Sequence, residues 1–196
     1  MKLRNLGLAA LAATTLLTFV CPASATTLEV NGVKRNESIW ITGSLTAFTS
    51  MILKDTSGSF ANTCTSSKVE WKTEGSFTGT TVGGTPLFQP SFNSCTEEPV
   101  IVDNPGITSS FSVEAKFAST NGTVRWAGAV ITSPSPFGSL SCSMGKGTDI
   151  GTLTGSGFFR ASLDVNAVLN CGFFLPSAKW EGTYTITSPE GLGVTS

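Results

Sequence analysis

Carboxylates are the acid–base groups this chain offers in number. The sequence of 196 residues contains no histidine, which removes Ser-His-Asp and Cys-His nucleophilic sites and every histidine-containing zinc site. Two carboxylates flanking a bond suffice for glycoside hydrolysis, so Glu97, Glu98, Asp103, Asp149 and Asp164 are the residues to weigh for that reaction. Glu97, Glu98 and Asp103 are close in sequence, whereas Asp149 and Asp164 lie elsewhere. No neighbouring residue pattern marks them as convergent or buried, and charged groups are rarely buried unless paired. They read as solvated surface acids. Calcium held by Glu97, Glu98 and Asp103 would need a ligand spacing that matches no defined loop. Gly145-Lys146-Gly147 is a turn, since a phosphate cradle requires a strand before it and a helix after it. No metal or cofactor is expected.

Tryptophan rings are the other groups with binding chemistry, because a flat ring can stack on a sugar or an apolar ligand. Trp71, Trp126 and Trp180 fall on apolar phases of their segments and are expected in the core. Trp40 is out of phase with Ile39 and Ile41, so it is the candidate ligand-facing residue, with a strand irregularity as the competing explanation.

The start of the chain bears on which chemistry the cysteines can do. Lys2 and Arg4 precede an apolar run from Leu6 to Val20, and Ala23 and Ala25 form an A-x-A signature. This is the layout of a secretory signal peptide over residues 1–25, expected to be cut after Ala25. Cys21 follows Phe19 and Val20 instead of small residues, which disfavours processing to a lipoprotein. The exported chain is then expected in the cell envelope or medium, with no transmembrane segment. Removing residues 1–25 leaves ten basic against 13 acidic residues, a net charge of −3. Nucleic acid and anionic membranes call for basic patches, so neither is an expected partner. Cys64, Cys95, Cys142 and Cys171 remain, and an even number in an exported chain reads as two disulfides. Three pairings are possible. Near-equal separations favour Cys64–Cys95 and Cys142–Cys171, and no C-x-x-C pair argues for metal or redox chemistry.

The elements that carry these residues alternate with period two. Phe159, Ala161, Leu163, Val165, Ala167 and Leu169 are apolar, with Arg160, Ser162, Asp164 and Asn166 on the opposite phase. Trp180, Tyr184 and Ile186 share one phase of the next segment, Phe111, Val113, Ala115 and Phe117 one phase of another, and Val69 and Trp71 stand against Lys68, Glu70 and Lys72. Strict alternation predicts half-buried antiparallel strands rather than helices. The run from Ile39 to Leu53 is expected to bend near Gly43-Ser44. Turns are expected at Asn31-Gly32, Ser57-Gly58, Gly83-Gly84, Asn104-Pro105-Gly106 and Asn121-Gly122, the last as a hairpin tip. Pro86 to Pro105 reads as a long loop or edge segment. Many short strands at this spacing predict an all-β, antiparallel sandwich or barrel formed as a single domain by residues 26–196.

A weak internal duplication is also visible. Ser59-Phe60 precedes Cys64 as Ser139-Leu140 precedes Cys142, and the cysteine offsets are 78 and 76 residues. The run from Ser59 through Cys64 to Ser67, with Ser91-Phe92-Asn93-Ser94-Cys95 after it, resembles a loosely defined group of exported bacterial β-proteins. That group is mostly uncharacterised and includes activator proteins of alkane oxidation. The resemblance implies an exported β fold and transfers no functional residue.

The function expected is that of an exported, non-catalytic protein of the cell envelope or extracellular medium, binding an apolar or glycan ligand. The competing readings are a structural or self-assembling envelope protein, and a small carboxylate-dependent glycoside hydrolase.

Overall fold

A computed structural model describes residues 26–73, 81–84, 89–103, 110–115, 121–136, 138–145, 148–155, 160–173 and 177–195. The expected signal peptide and the Asn104-Pro105-Gly106 turn lie outside them. The described residues form β-strands and no helix, and every strand pairing is antiparallel. No described helix is long and apolar enough to cross a membrane.

The main body is sandwich-like, and its hydrogen bonding runs from strand to strand around a ring that is open between β7 and β8 among the described residues. β3 (Trp40–Leu45) and β4 (Met51–Asp55) lie end to end between β5 (Ala61–Lys72) and β15 (Ala178–Ser188). β6 (Thr81–Gly84) and β7 (Gln89–Cys95) come next. β7 pairs with β5, and β6 pairs with β9 (Ser110–Ala115). β8 (Ile101–Asp103) and β9 then pair with β11 (Val130–Ser135) and β10 (Asn121–Ala127) respectively. These in turn pair with β12 (Gly138–Ser143) and β13 (Thr148–Thr154). β14 (Ser162–Leu169) follows β13, and β15 closes the circuit back onto β3 and β4. Between β7 and β8 the described residues form no ladder.

Two of the breaks in this ring fall between strands consecutive in sequence, β3 and β4 and then β12 and β13. Gly43 and Ser44 are fully in register with Val69 and Lys68 on one side and with Ile186 and Thr185 on the other. The expected bend is therefore displaced to Thr46–Ser50. There Thr46 N–H donates to Thr183 O at 2.9 Å, Thr49 N–H donates to Thr46 O at 3.0 Å, and Phe48 has a φ of 63°. The second break, between β12 and β13, is stitched by Met144 N–H to Ala129 O at 3.0 Å.

Alternation succeeds because one face of each strand meets a shared core. Ala161, Leu163, Val165, Ala167 and Leu169 are buried, as are Trp180, Tyr184 and Ile186. Strands three places apart in a flat sheet would be separated by about 14 Å. Phe92 of β7 nevertheless meets Trp180 of β15 edge-on at 5.5 Å between centroids, and Trp126 of β10 meets it at 6.2 Å. The sheet is thus coiled around Trp180, and Trp71, Trp126, Trp180 and Tyr184 fill its centre.

Both disulfides expected from the spacing are present, with Cα atoms 3.8 Å apart for Cys64–Cys95 and 4.0 Å for Cys142–Cys171. Cys64 and Cys95 are directly opposed in the β5–β7 ladder. Cys142 and Cys171 lie one step beyond the Ser143–Asn170 bridge that joins β12 to the end of β14. The pairing of β3 and β4 on β5 on β7 is matched by that of β10 and β11 on β12 and β13 on β14, with one cross-strand cystine at the corresponding step of each.

A separate three-stranded sheet caps one end. β1 (Thr27–Val30) pairs with β16 (Leu192–Thr195) and with β2 (Val33–Lys34), around the Asn31-Gly32 turn. Both turn residues have positive φ, 53° and 73°, which suits a two-residue hairpin turn. Leu28, Leu192 and Val194 are buried beneath the cap, and a Cβ at Gly155 would stand 2.3 Å from Leu192 O.

Two turn assignments are corrected. Gly83 and Gly84 lie within β6, paired with Ser112 and Phe111. Asn121 and Gly122 open β10, where Gly122 is already paired with Ala115 and Leu153. The proline-rich segment, expected as a long loop or an edge segment, takes the second form: it holds β7 and β8, each laddered along one edge only, and Pro90 sits opposite Val69. Pro is tolerated at a strand edge because it lacks only the N–H.

Candidate functional site

The end of the ring opposite the terminal cap is formed by turns. One joins β4 to β5, a second joins β11 to β12, and a third segment leaves β14 at Asn170. Each is built by local hydrogen bonding. Asp55 Oδ1 accepts from Phe60 N–H at 2.8 Å, and its Oδ2 accepts from the Ser57 hydroxyl, which organises Thr56–Ser59. Ser135 Oγ donates to Gly138 O at 2.7 Å across the second turn. In the third, Gly172 N–H donates to Asn170 Oδ1 at 3.0 Å, beside the Cys142–Cys171 bridge. The first and third are joined where the hydroxyls of Thr56 and Ser177 meet at 3.1 Å.

These turns surround a mouth of about 750 Å³. Its hydroxyls come from Ser57, Ser59, Ser135, Ser139 and Ser141, its apolar wall from Phe60 and Leu140, and Cys171 and Phe173 complete the lining. Phe173 is 94% exposed, two residues after a disulfide cysteine. Asp55 is the one acid among the described lining residues. The Ser57 hydroxyl, and after it the Phe60 N–H, hold its carboxyl below the ordinary value of 3.8, against a smaller opposing effect of burial.

Beneath the mouth runs a buried polar strut. Asn62 of β5 donates from Nδ2 to Ser133 Oγ of β11 at 2.9 Å and to Glu97 O at 2.7 Å. Its Oδ1 accepts from Glu97 N–H at 3.1 Å. Asn62 and Ser133 are fully buried, and an amide with both donors and its acceptor used meets the requirement for burying a polar group. This strut spans the ring from one half to the other.

No protein-family model, curated protein or solved structure matches this chain.

Apart from Cys171, the residues singled out from sequence do not gather at the mouth. Trp40 faces outward, 54% exposed, at the capped end of the ring, with Lys72 Nζ 5.9 Å from its ring centroid. Glu98 Oε1 accepts from Cys95 N–H at 2.9 Å, and Glu97 contributes its backbone to the strut. Asp149 pairs with Arg125 at 2.7 Å, while Asp103 and Asp164 are exposed on β8 and β14. Among the described residues no three acidic or cysteine side chains are grouped to hold a metal ion. The sequence reading missed Asp55, Phe173 and the five serines. The available signal was weak: serine-rich turns recur at Ser57-Gly58-Ser59 and Ser135 to Ser141, but turns are serine-rich for backbone reasons too.

Proposed function

We propose that the protein is an exported, non-catalytic module that binds a glycan in the mouth. The observation that carries this reading is Phe173, an aromatic ring held at the rim by a cystine two residues away and nearly fully exposed beside a set of serine hydroxyls. A concave site with an apolar ring and a few convergent polar groups is the usual form of a small-ligand site. Hydroxyls that both donate and accept suit the hydroxyl groups of a sugar, and a flat ring suits its C–H face. Two disulfides fit an oxidising compartment.

Hydrolysis is less well supported than binding. A two-carboxylate mechanism needs a partner acid and a group that stays protonated, whereas the mouth holds Asp55 with a lowered pKa. Carriage of an apolar ligand inside the ring is also less well supported, because tryptophan and tyrosine side chains occupy its centre.

The test is isothermal titration against soluble oligosaccharides, comparing the wild type with Phe173→Ala. Phe173 is exposed, so its removal leaves folding intact, and affinity for the bound glycan should fall about tenfold or more. Glycan binding that is unchanged in Phe173→Ala, or absent from the wild type, would overturn the proposal.

A further inference from the structure

Resting on that reading, we infer that the mouth selects glycans that carry protonated amino groups, and rejects acidic ones. The inference starts from the charge balance of the site. Asp55 is 2% exposed and makes no ion pair among the described residues. Both of its oxygens are held by groups of its own turn, Phe60 N–H and the Ser57 hydroxyl. None of the described residues lining the mouth is Lys or Arg. Among the described residues the cavity therefore has one formal charge, a negative one, fixed in position by the fold and without a counter-ion.

A buried carboxylate is ordinarily met by a cation. Here neutral donors hold it, so a cation that enters the cavity would meet a fixed negative charge. An ammonium group on a sugar supplies such a cation together with three donors. It can sit among the hydroxyls of Ser57, Ser59 and Ser139 while the pyranose lies against Phe173. A uronic or sulfated sugar would instead bring a second negative charge into a partly enclosed space, where like-charge repulsion is weakly screened. Neutral sugars meet neither effect and fall between the two.

The experiment titrates the wild-type protein, in mildly acidic low-salt buffer, with short oligomers of glucosamine, N-acetylglucosamine and galacturonic acid, and with spermidine as a cation that is not a sugar. Glucosamine oligomers should bind at least about tenfold more tightly than the N-acetylated series, with no measurable binding of galacturonate. Asp55→Asn, which keeps an oxygen for Phe60 N–H, should bring the affinities of the amino and N-acetylated series to within about twofold of each other. If this variant does not fold, raising the salt concentration with the wild type serves instead, and should weaken glucosamine binding alone. Equal affinity for the neutral and amino series, or preference for galacturonate, overturns the charge inference and leaves glycan binding standing. Spermidine binding that depends on Asp55, without binding of any sugar, overturns the glycan reading and with it the selection of amino sugars. Failure of every probe overturns both.

Discussion

Asp55 and Phe60 close the β4–β5 turn twice over, the Asp55 carboxylate accepting the Phe60 N–H at 2.8 Å while the Asp55 N–H donates to Phe60 O at 3.1 Å. One side chain thus fixes both the turn and the charge at the mouth. The pH dependence follows from the lowered pKa. A carboxylate whose folded-state pKa lies below its unfolded value contributes stability that is fully present above the unfolded value and is lost as pH falls through the folded one. Thermal melts of the wild type should therefore lose stability below about pH 4. Asp55→Asn should show a shallower loss over the same range, and identical acid profiles would refute the assignment.

Tyr184, the single tyrosine of the chain, offers the opposite case at alkaline pH. Burial pushes its hydroxyl up to about 12, although Ser67 accepts or donates a hydrogen bond at 2.9 Å. Ultraviolet titration of the folded protein should show no tyrosinate near the ordinary value of 10 and a midpoint near 12. Because the raised pKa disfavours the ionised form in the fold, stability should fall as pH rises from 10 to about 12. Tyr184→Phe should cost about 1 kcal/mol at neutral pH and remove that alkaline loss.

Leu163 and Ser162 test the alternation of β14. Leu163 is fully buried between Leu153 and Tyr184, while Ser162 stands on the other face between Thr154 and Thr185. Leu163→Asp should cost roughly 4 kcal/mol or more in denaturant titrations, through lost contacts and a buried charge. Ser162→Asp should cost less than about 1 kcal/mol. Equal damage from both would show that β14 does not present one face to the core.

The two cystines should behave alike in stability and differently in binding. Their sequence separations are 31 and 29 residues, so removing either should cost about 3.5 kcal/mol on loop-closure entropy. Replacing Cys142 and Cys171 together by serine should also weaken glycan binding, because that bridge anchors the segment bearing Phe173. Replacing Cys64 and Cys95 together should leave affinity for the glycan within about twofold under conditions where the protein remains folded. Chemical denaturation and titration calorimetry on the two double variants separate these effects.

Much of the fold was legible because burial imposes period two on each strand. The phases of Val69, Trp71, Leu163 and Trp180 follow from residue type alone. The cystine pairing follows from spacing. Turn positions were less legible, because glycine and asparagine serve strands as well as reversals: Gly84 and Gly122 are laddered, while the real break at Thr46–Ser50 contains no glycine. The mouth was not legible at all. Its lining comes from residues 55–60, 135–141 and 171–173, and only the closure of the ring brings those stretches together. Local patterns carry no record of that long-range contact.

β15 and β16 lie against strands from the other end of the described residues, β16 on β1 and β15 on β3 and β4. This has a kinetic consequence. Folding slows as contacts link residues more distant along the chain, because closing a long loop costs entropy before the contact repays it. A chain that lacks β15 and β16 has no partner for the outer edge of β3 and β4, and no seat for Leu28. The seams of β16 on β1 and of β15 on β3 and β4 form only once both of their strands are present, which makes them the slowest pairings expected on refolding.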